Sequence, residues 1–102
     1  MNMGKMMKQF KTMQKKMEKI QDELKDKEVE ASSGGGAVKI VANGKQEIVD
    51  LKIDPDAVDE DDVEMLEDLI LAAINEALRE SRDMMEGEMS KLTGGMNIPG
   101  LF

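Results

Sequence analysis

Residues 38–53, VKIVANGKQEIVDLKI, decide the fold because they hold two apolar runs on either side of a turn signal. Val38, Ile40 and Ala42 occupy every second position of the first six residues and so lie on one face, which is typical of a half-buried strand. Asn43-Gly44 is a preferred pair for a two-residue type I′ hairpin turn. A further strand is predicted from Gln46 to Ile53, so the stretch predicts a β-hairpin. The apolar face of that strand is predicted to carry Val49, Leu51 and Ile53.

The flanking segments extend this hairpin to a three-stranded antiparallel sheet over residues 28–54. Val29–Ser32 alternates and predicts a first strand, and Gly34–Gly36 ends it with a tight or bulged connection. Pro55 stops the last strand because proline cannot continue a ladder. A three-stranded sheet cannot leave its apolar face bare, so a helix is expected to cover it.

Residues 59–92 are assigned to a second helix, with regular turns from about Val63 to Lys91 and an N-cap at Asp61 or Asp62. Its apolar residues cover an arc of about 200° on a helical wheel, whereas a surface helix needs roughly 100°. The helix is therefore predicted to pack both on the sheet and on a second copy of the chain. The predicted dimer interface comprises Leu66, Leu69, Ile70, Leu71, Ile74 and Leu78.

Residues 1–27 predict a long first helix, because helix formers dominate and no proline interrupts them. Its large apolar residues recur in alternating steps of three and four, as in a coiled-coil stripe. Such a rod measures about 37 Å, which exceeds the radius of gyration of roughly 13 Å for a compact domain of this size. It must therefore overhang its domain or lie against another chain. This stripe, termed the Met seam, comprises Met3, Met6, Phe10, Met13, Met17, Ile20 and Leu24.

Charge divides the chain in the same place. The total is −8, yet residues 1–27 carry +4 and residues 28–102 carry −12. A basic arm on an acidic body favours contact with a polyanion, although a solvated helix face is the alternative explanation. Ammonium groups at this spacing can neutralise successive phosphates without reading base edges. The candidate residues for such phosphate contacts are Lys5, Lys8, Lys11, Lys15, Lys16 and Lys19. All of these except Lys16 form one line opposite the Met seam, termed the lysine ridge.

Composition excludes most catalytic and metal-binding classes. The chain has no Cys, His, Trp or Tyr, which removes thiolate and imidazole ligands, disulfides and nucleophiles activated by histidine. The acids between Asp54 and Asp62 lack the glycine of a calcium loop, and charge at a helix N-terminus explains them better. No apolar run approaches the roughly 18 residues that span a bilayer, and no secretory signal is apparent. We therefore expect a cytoplasmic protein that is not an enzyme and has no cofactor, metal, small-molecule substrate or membrane partner.

A series of short motifs follows the Lys/Met-rich first helix along the chain: Gly34–Gly36, Asn43-Gly44, Ile53–Pro55, Met65–Leu69, Ala72-Ala73, Asn75, Lys91–Gly95 and Pro99–Phe102. Taken in order, these segments resemble the YbaB/EbfC family of bacterial nucleoid-associated proteins. The resemblance implies an α-β-β-β-α protomer and a homodimer whose first helices project like tweezer arms. It also implies DNA binding that alters DNA conformation, with a role in nucleoid organisation or gene expression, and a location in the nucleoid.

The sequence thus predicts one α+β domain over residues 1–102. Its tail, residues 93–102, is either loose or docked through Leu101 and Phe102. The predicted function is binding of double-stranded DNA by a homodimer through phosphate contacts, with low sequence specificity. The alternative is a protein–protein interaction module in which the Met seam docks a partner and the lysines only confer solubility. Salt dependence of binding separates the two hypotheses.

Overall fold

The computed structural model describes residues 3–92 and shows two long helices and a three-stranded antiparallel sheet. The predicted α+β class and the α-β-β-β-α order are confirmed. A single helical turn at Gly34–Gly36 connects the first two strands, and another at Pro55–Ala57 follows the third strand before the second long helix. The main elements are α1 (Met3–Asp26), β1 (Glu28–Ser33), β2 (Val38–Asn43), β3 (Ile48–Ile53) and α2 (Val63–Leu92).

The hydrophobic core lies between one face of the sheet and α2. The sheet order is β1-β2-β3, and the central strand buries its inward side chains Val38, Ile40 and Ala42 completely. From α2, Ala73 and Ala77 are fully buried against them, and such small side chains allow close approach of helix and sheet. Around this centre, α2 also packs the larger side chains Leu66, Leu69, Ile70 and Ile74.

Helix α2 lies mainly over β1 and β2 and makes few contacts with β3. Ile48 and Leu51 of β3 therefore stay 40% and 46% exposed, although they pair with the buried residues Ala42 and Ile40 of β2. The sheet thus ends in an edge strand on which Ile53 packs against the core, whereas Ile48 and Leu51 remain largely exposed within residues 3–92.

The hairpin turn differs from the predicted two-residue type I′ turn. The loop spans Gly44–Gln46, and it is Gln46 that adopts a positive φ of 63°, while Gly44 does not. Asn43 donates its N–H to the Glu47 carbonyl, and Gln46 donates to the Asn43 carbonyl, which closes a three-residue loop. The predicted start of the third strand at Gln46 was therefore wrong, and β3 begins at Ile48.

A β-bulge also changes the predicted register of β3. Pairing shifts between Val41 and Ala42, so that Ile48 instead of Val49 lies opposite the buried Ala42. Val49 becomes the additional residue of the bulge and is 48% exposed. The prediction assumed that inward and outward side chains alternate strictly along the strand. The additional residue in the bulge interrupts this alternation.

The start of α2 follows the predicted capping chemistry. The Asp62 carboxylate accepts a hydrogen bond from the Met65 N–H at 3.2 Å, which confirms Asp62 as the N-cap. Residues 59–62 form a turn before the helix, because the Asp59 carboxylate and carbonyl accept from Asp61 and Asp62. The segment assigned to the second helix therefore becomes helical only at Val63. Neither helix of the described part of the chain is long and apolar enough to cross a membrane.

Candidate nucleic-acid interface

The first half of α1 projects from the rest of the molecule. Every residue from 3 to 16 is exposed, and burial begins only at Met17 and Ile20 and is complete at Leu24. At 1.5 Å per residue this exposed part, termed the arm, is about 20 Å long. The radius of gyration of 19.4 Å far exceeds the roughly 13 Å of a compact chain of this length. The overhang expected from the length of the helix is therefore present.

The predicted DNA-binding lysines all lie exposed on this helix. Within residues 3–92, none of Lys8, Lys11, Lys15, Lys16 and Lys19 forms a salt bridge. Their ammonium groups are therefore available to an external anion. An open groove on the arm has the following lining: Lys5, Lys8, Gln9, Thr12, Met13 and Lys16.

Close contact between the C-terminal end of α1 and the hairpin anchors the arm. The Gly44 N–H donates to the carbonyl of Leu24 in the last turn of α1 (2.8 Å) and to that of Lys27 just after the helix (3.0 Å). A Cβ on Gly44 would lie 2.7 Å from the Leu24 carbonyl oxygen and from its Cδ2. Glycine at this position is therefore required by the approach of α1 and not by the turn.

An ion pair joins the same end of α1 to α2. The Lys27 ammonium donates to the Glu88 carboxylate at 2.8 Å, and Lys91 lies 3.4 Å from the same oxygen. The hydrogen bond from Lys27 lowers the pKa of Glu88 below its ordinary value of 4.5, and it raises the pKa of Lys27. At neutral pH both groups are charged, so the contact holds α1 against α2.

Ser81 connects α2 to the hairpin that receives α1. Its hydroxyl is fully buried, donates to the Asn43 carbonyl and accepts from the Gln46 N–H. The Asn43 side chain in turn accepts from the N–H groups of Lys45 and Glu47. The sequence analysis did not identify this cluster. The available signal is the run of small residues in steps of four along α2, formed by Ala73, Ala77 and Ser81.

The predicted dimer-interface residues divide into two groups. Leu66, Leu69, Ile70 and Ile74 are half-buried against the core of their own protomer, and Leu78 is also half-buried. Leu71 is 59% exposed. The exposed β3 residues Ile48 and Leu51, which sequence reasoning did not assign to this surface, add to the apolar area that remains uncovered.

The remaining polar groups offer little to a base edge or a metal ion. The Arg79 guanidinium donates to both carboxylate oxygens of Glu76, so its fork is already engaged. The Asp54 and Asp59 carboxylates accept backbone N–H groups within their own turns. Across residues 3–92, no three acidic side chains converge as a group that could hold a metal ion.

These features define a small α+β protein with an exposed cationic arm on an acidic body. A match to the YbaB/EbfC DNA-binding family covers residues 1–96. The chain belongs to this family, and the resemblance seen in the sequence is confirmed.

Similar proteins extend over almost the whole chain. Nucleoid-associated proteins of Thermoanaerobacter pseudethanolicus and Pelotomaculum thermopropionicum are each 57% identical over 101 residues, which is 99% of this chain and 91% and 96% of those proteins. One from Desulforamulus reducens is 60% identical over 101 residues, or 99% of this chain and 96% of that protein. In fold, the chain is similar to an uncharacterized protein from Helicobacter pylori, with a TM-score of 0.83 and 24% identity. That similarity covers 92% of this chain and 99% of the other.

Proposed function

We propose that this protein binds double-stranded DNA in the nucleoid through its arm, mainly by phosphate contacts and with low sequence specificity. The observation that carries the proposal is a set of exposed lysines on a helix that leaves the body. Five of these lysines form no salt bridge within residues 3–92, namely Lys8, Lys11, Lys15, Lys16 and Lys19. The family to which the chain belongs is one of DNA-binding proteins, and its relatives named above are nucleoid-associated proteins.

Charge separation explains how an acidic protein can approach DNA. Residues 3–17 contain five lysines and no acid, whereas residues 28–102 carry a net charge of −12. The Debye length is about 8 Å at physiological ionic strength, and the arm of about 20 Å exceeds it more than twofold. DNA bound near the tip of the arm is therefore largely screened from the acidic body.

Low sequence specificity follows from the side chains that the arm presents. Lysine is a compact charge that contacts phosphate oxygens, and the arm carries no arginine fork for guanine. One of the two arginines of the chain, Arg79, is engaged with Glu76 on α2. Affinity on this basis comes from counterion release, which is the same for any duplex sequence.

The binding unit is a homodimer in this proposal. Leu71 on α2 and Ile48 and Leu51 on β3 form exposed apolar surface that a second copy would cover. A symmetric pair buries the same surface on both protomers and presents two arms to one duplex. Two arms that grip one duplex would alter its path, which supports a role in nucleoid organisation and gene expression. Circularisation rates of short DNA fragments measure that change, and unchanged rates on saturation would contradict it.

A salt-titrated mobility shift with several unrelated duplexes tests the DNA-binding proposal. Binding should weaken with salt at a log–log slope of about −0.9 per neutralised phosphate. Replacing Lys8, Lys11 and Lys15 together by Glu should abolish the shift while leaving helix content unchanged.

The matched control replaces Lys39, Lys45 and Lys52 by Glu. These three lysines are also exposed, but they lie on the sheet and the hairpin. Because three lysines again become glutamates, this variant has the same net charge as the arm variant. It should retain most of the binding. Equal loss in both variants would mean that total charge, and not the arm, determines affinity. Unchanged binding by the arm variant would refute the proposed site.

A further inference from the structure

Four of the seven residues of the Met seam are exposed in the protomer. Met3, Met6, Phe10 and Met13 are 73%, 57%, 65% and 41% exposed, although the same stripe is half-buried at Ile20 and buried at Leu24. The stripe stays apolar along its whole length, but the cover from the body ends. An apolar stripe of this kind normally has a partner surface.

Helix α2 ends beside this stripe. Its last described residues, Lys91 and Leu92, line a cleft of about 290 Å³ together with Lys16, Lys19 and Ile20 of α1. Three residues earlier in α2, Glu88 contacts Lys27 at the other end of the packed part of α1. Toward the C-terminal end of α2, its contacts along α1 therefore move from Lys27 to residues 16–20, which adjoin the arm. The C-terminal end of α2 therefore points toward the exposed half of the seam.

The following segment has the length and composition to cover it. Residues 93–102, TGGMNIPGLF, contain no charged side chain, whereas 35% of the whole chain is charged. Ten extended residues reach about 33 Å, while the arm from Lys16 to Met3 measures about 20 Å. Three glycines and a proline disfavour a continued helix and favour an extended strap. Its large apolar residues are Met96, Ile98, Leu101 and Phe102.

We propose that residues 96–102 dock as an extended strap on the Met seam of the same chain's arm. In this arrangement Met96 and Ile98 cover the seam near Met13, and Leu101 and Phe102 cover Phe10 and Met6. The occupied side of the helix is opposite the lysine ridge, so docking leaves the proposed DNA contacts free. The inference goes beyond the proposed function, and its tests use no DNA, so either can fail without the other.

Disulfide trapping tests the strap directly, because the natural chain has no cysteine. The double variant Phe10→Cys/Leu101→Cys should oxidise to a crosslinked species that migrates as a single chain. The control Lys8→Cys/Leu101→Cys places the thiol on the opposite side of the same helix. The seam pair should crosslink roughly tenfold faster than the control pair, because docking holds its sulfurs within bonding distance. Equal rates would overturn the proposal. Predominantly interchain crosslinks would assign the seam to a second copy and would also overturn it.

Methionine oxidation supplies a second measurement that keeps Phe10 in place. In the full-length variant Leu101→Asp/Phe102→Asp, peroxide should oxidise Met6 and Met13 several times faster than in the wild type. Met65, which is 43% exposed on α2, serves as the internal control and should not change. Unchanged oxidation of Met6 and Met13 would mean that the tail does not cover the seam, and that a foreign partner or solvent does.

Discussion

At the scale of single residues, Gly44 determines how closely α1 approaches the hairpin. The backbone N–H of Gly44 satisfies carbonyls of Leu24 and Lys27, and no space remains for a side chain. The packing therefore requires glycine, which has no Cβ, at this position. Because Leu24 is the most buried residue of α1, the direction of the arm depends on this contact.

The substitution Gly44→Ala should destabilise the protein by about 1–3 kcal/mol, as forced overpacking does. The new Cβ would lie 2.7 Å from the Leu24 backbone oxygen, so α1 must shift. Urea unfolding measures the change in the free energy of unfolding.

The control for this measurement is Gly87→Ala. An added Cβ at Gly87, inside α2, meets nothing within 4 Å. That change should stabilise the protein by about 0.5–1 kcal/mol, because alanine is the better helix former. If Gly44→Ala did not lower the free energy of unfolding, as Gly87→Ala should not, the packing account of Gly44 would be wrong.

At the scale of elements, the position of the arm depends on two attachments of α1. One is the contact between Leu24 and Gly44, and the other is the ion pair between Lys27 and Glu88 of α2. Both lie at the C-terminal end of the helix or directly after it, so residues 3–16 extend beyond their reach. A helix held at one end presents its free end to other molecules.

The ion pair predicts a specific dependence of stability on pH. The pKa of Glu88 is lowered in the folded state, so its contribution is present above the unfolded value near 4.5 and is lost as pH falls through the folded value. The pKa of Lys27 is raised, so its contribution holds up to about 10.5 and is lost at higher pH. Glu88→Gln should therefore lose less stability than the wild type between neutral pH and pH 3.

Chemical unfolding at a series of pH values checks this expectation. The control variant Glu86→Gln changes an exposed glutamate of the same helix that forms no salt bridge within residues 3–92. Its acid dependence should follow the wild type. If Glu88→Gln and Glu86→Gln have the same acid profile, the ion pair does not stabilise the folded state.

At the scale of the whole molecule, the cationic side chains and the apolar surface assigned to the proposed dimer occupy different places. The arm carries the cationic side chains, and the exposed apolar side chains of α2 and β3 lie on the acidic body. Self-association through the body and polyanion binding through the arm can therefore occur together. This arrangement predicts that one substitution alters one property and spares the other.

Substituting Leu71 by Glu should separate the proposed dimer while the protomer stays folded. Leu71 is 59% exposed, unlike its neighbour Ile74, which packs against the core. Sedimentation should show monomers where the wild type is dimeric, with unchanged helical circular dichroism. The control Ala72→Glu adds the same charge at an exposed position one residue away and should leave the dimer intact. A folded, monomeric wild type would refute the proposed dimer.

The salt slope of DNA binding reports how many arms touch one duplex. Lys11→Ala removes one ammonium group from each chain, and each lost phosphate contact reduces the slope by about 0.9. A dimer that uses both arms should therefore lose about twice this value, and a single bound arm should lose it once. A mobility shift at several salt concentrations measures the slope, and an unchanged slope would exclude Lys11 from the contact.

Local patterns in the sequence were sufficient to determine the order of the elements. Apolar periodicity, together with glycine and proline positions, predicted two helices and three strands, and the capping carboxylate of Asp62 was among its candidates. The charge asymmetry and the excess length of α1 can also be read from the sequence, and together they indicated a basic arm. Each of these properties depends on neighbours within a few turns of the chain.

Only the tertiary structure decided where these elements meet. The bulge at Val49, the packing role of Gly44, the buried hydroxyl of Ser81 and the ion pair between Lys27 and Glu88 all depend on contacts between distant segments. The placement of α2 over β1 and β2 also determines which apolar side chains remain exposed. Periodicity shows which residues lie on an apolar face, but the surface that covers that face is set by packing between elements, because those contacts join segments far apart in the sequence.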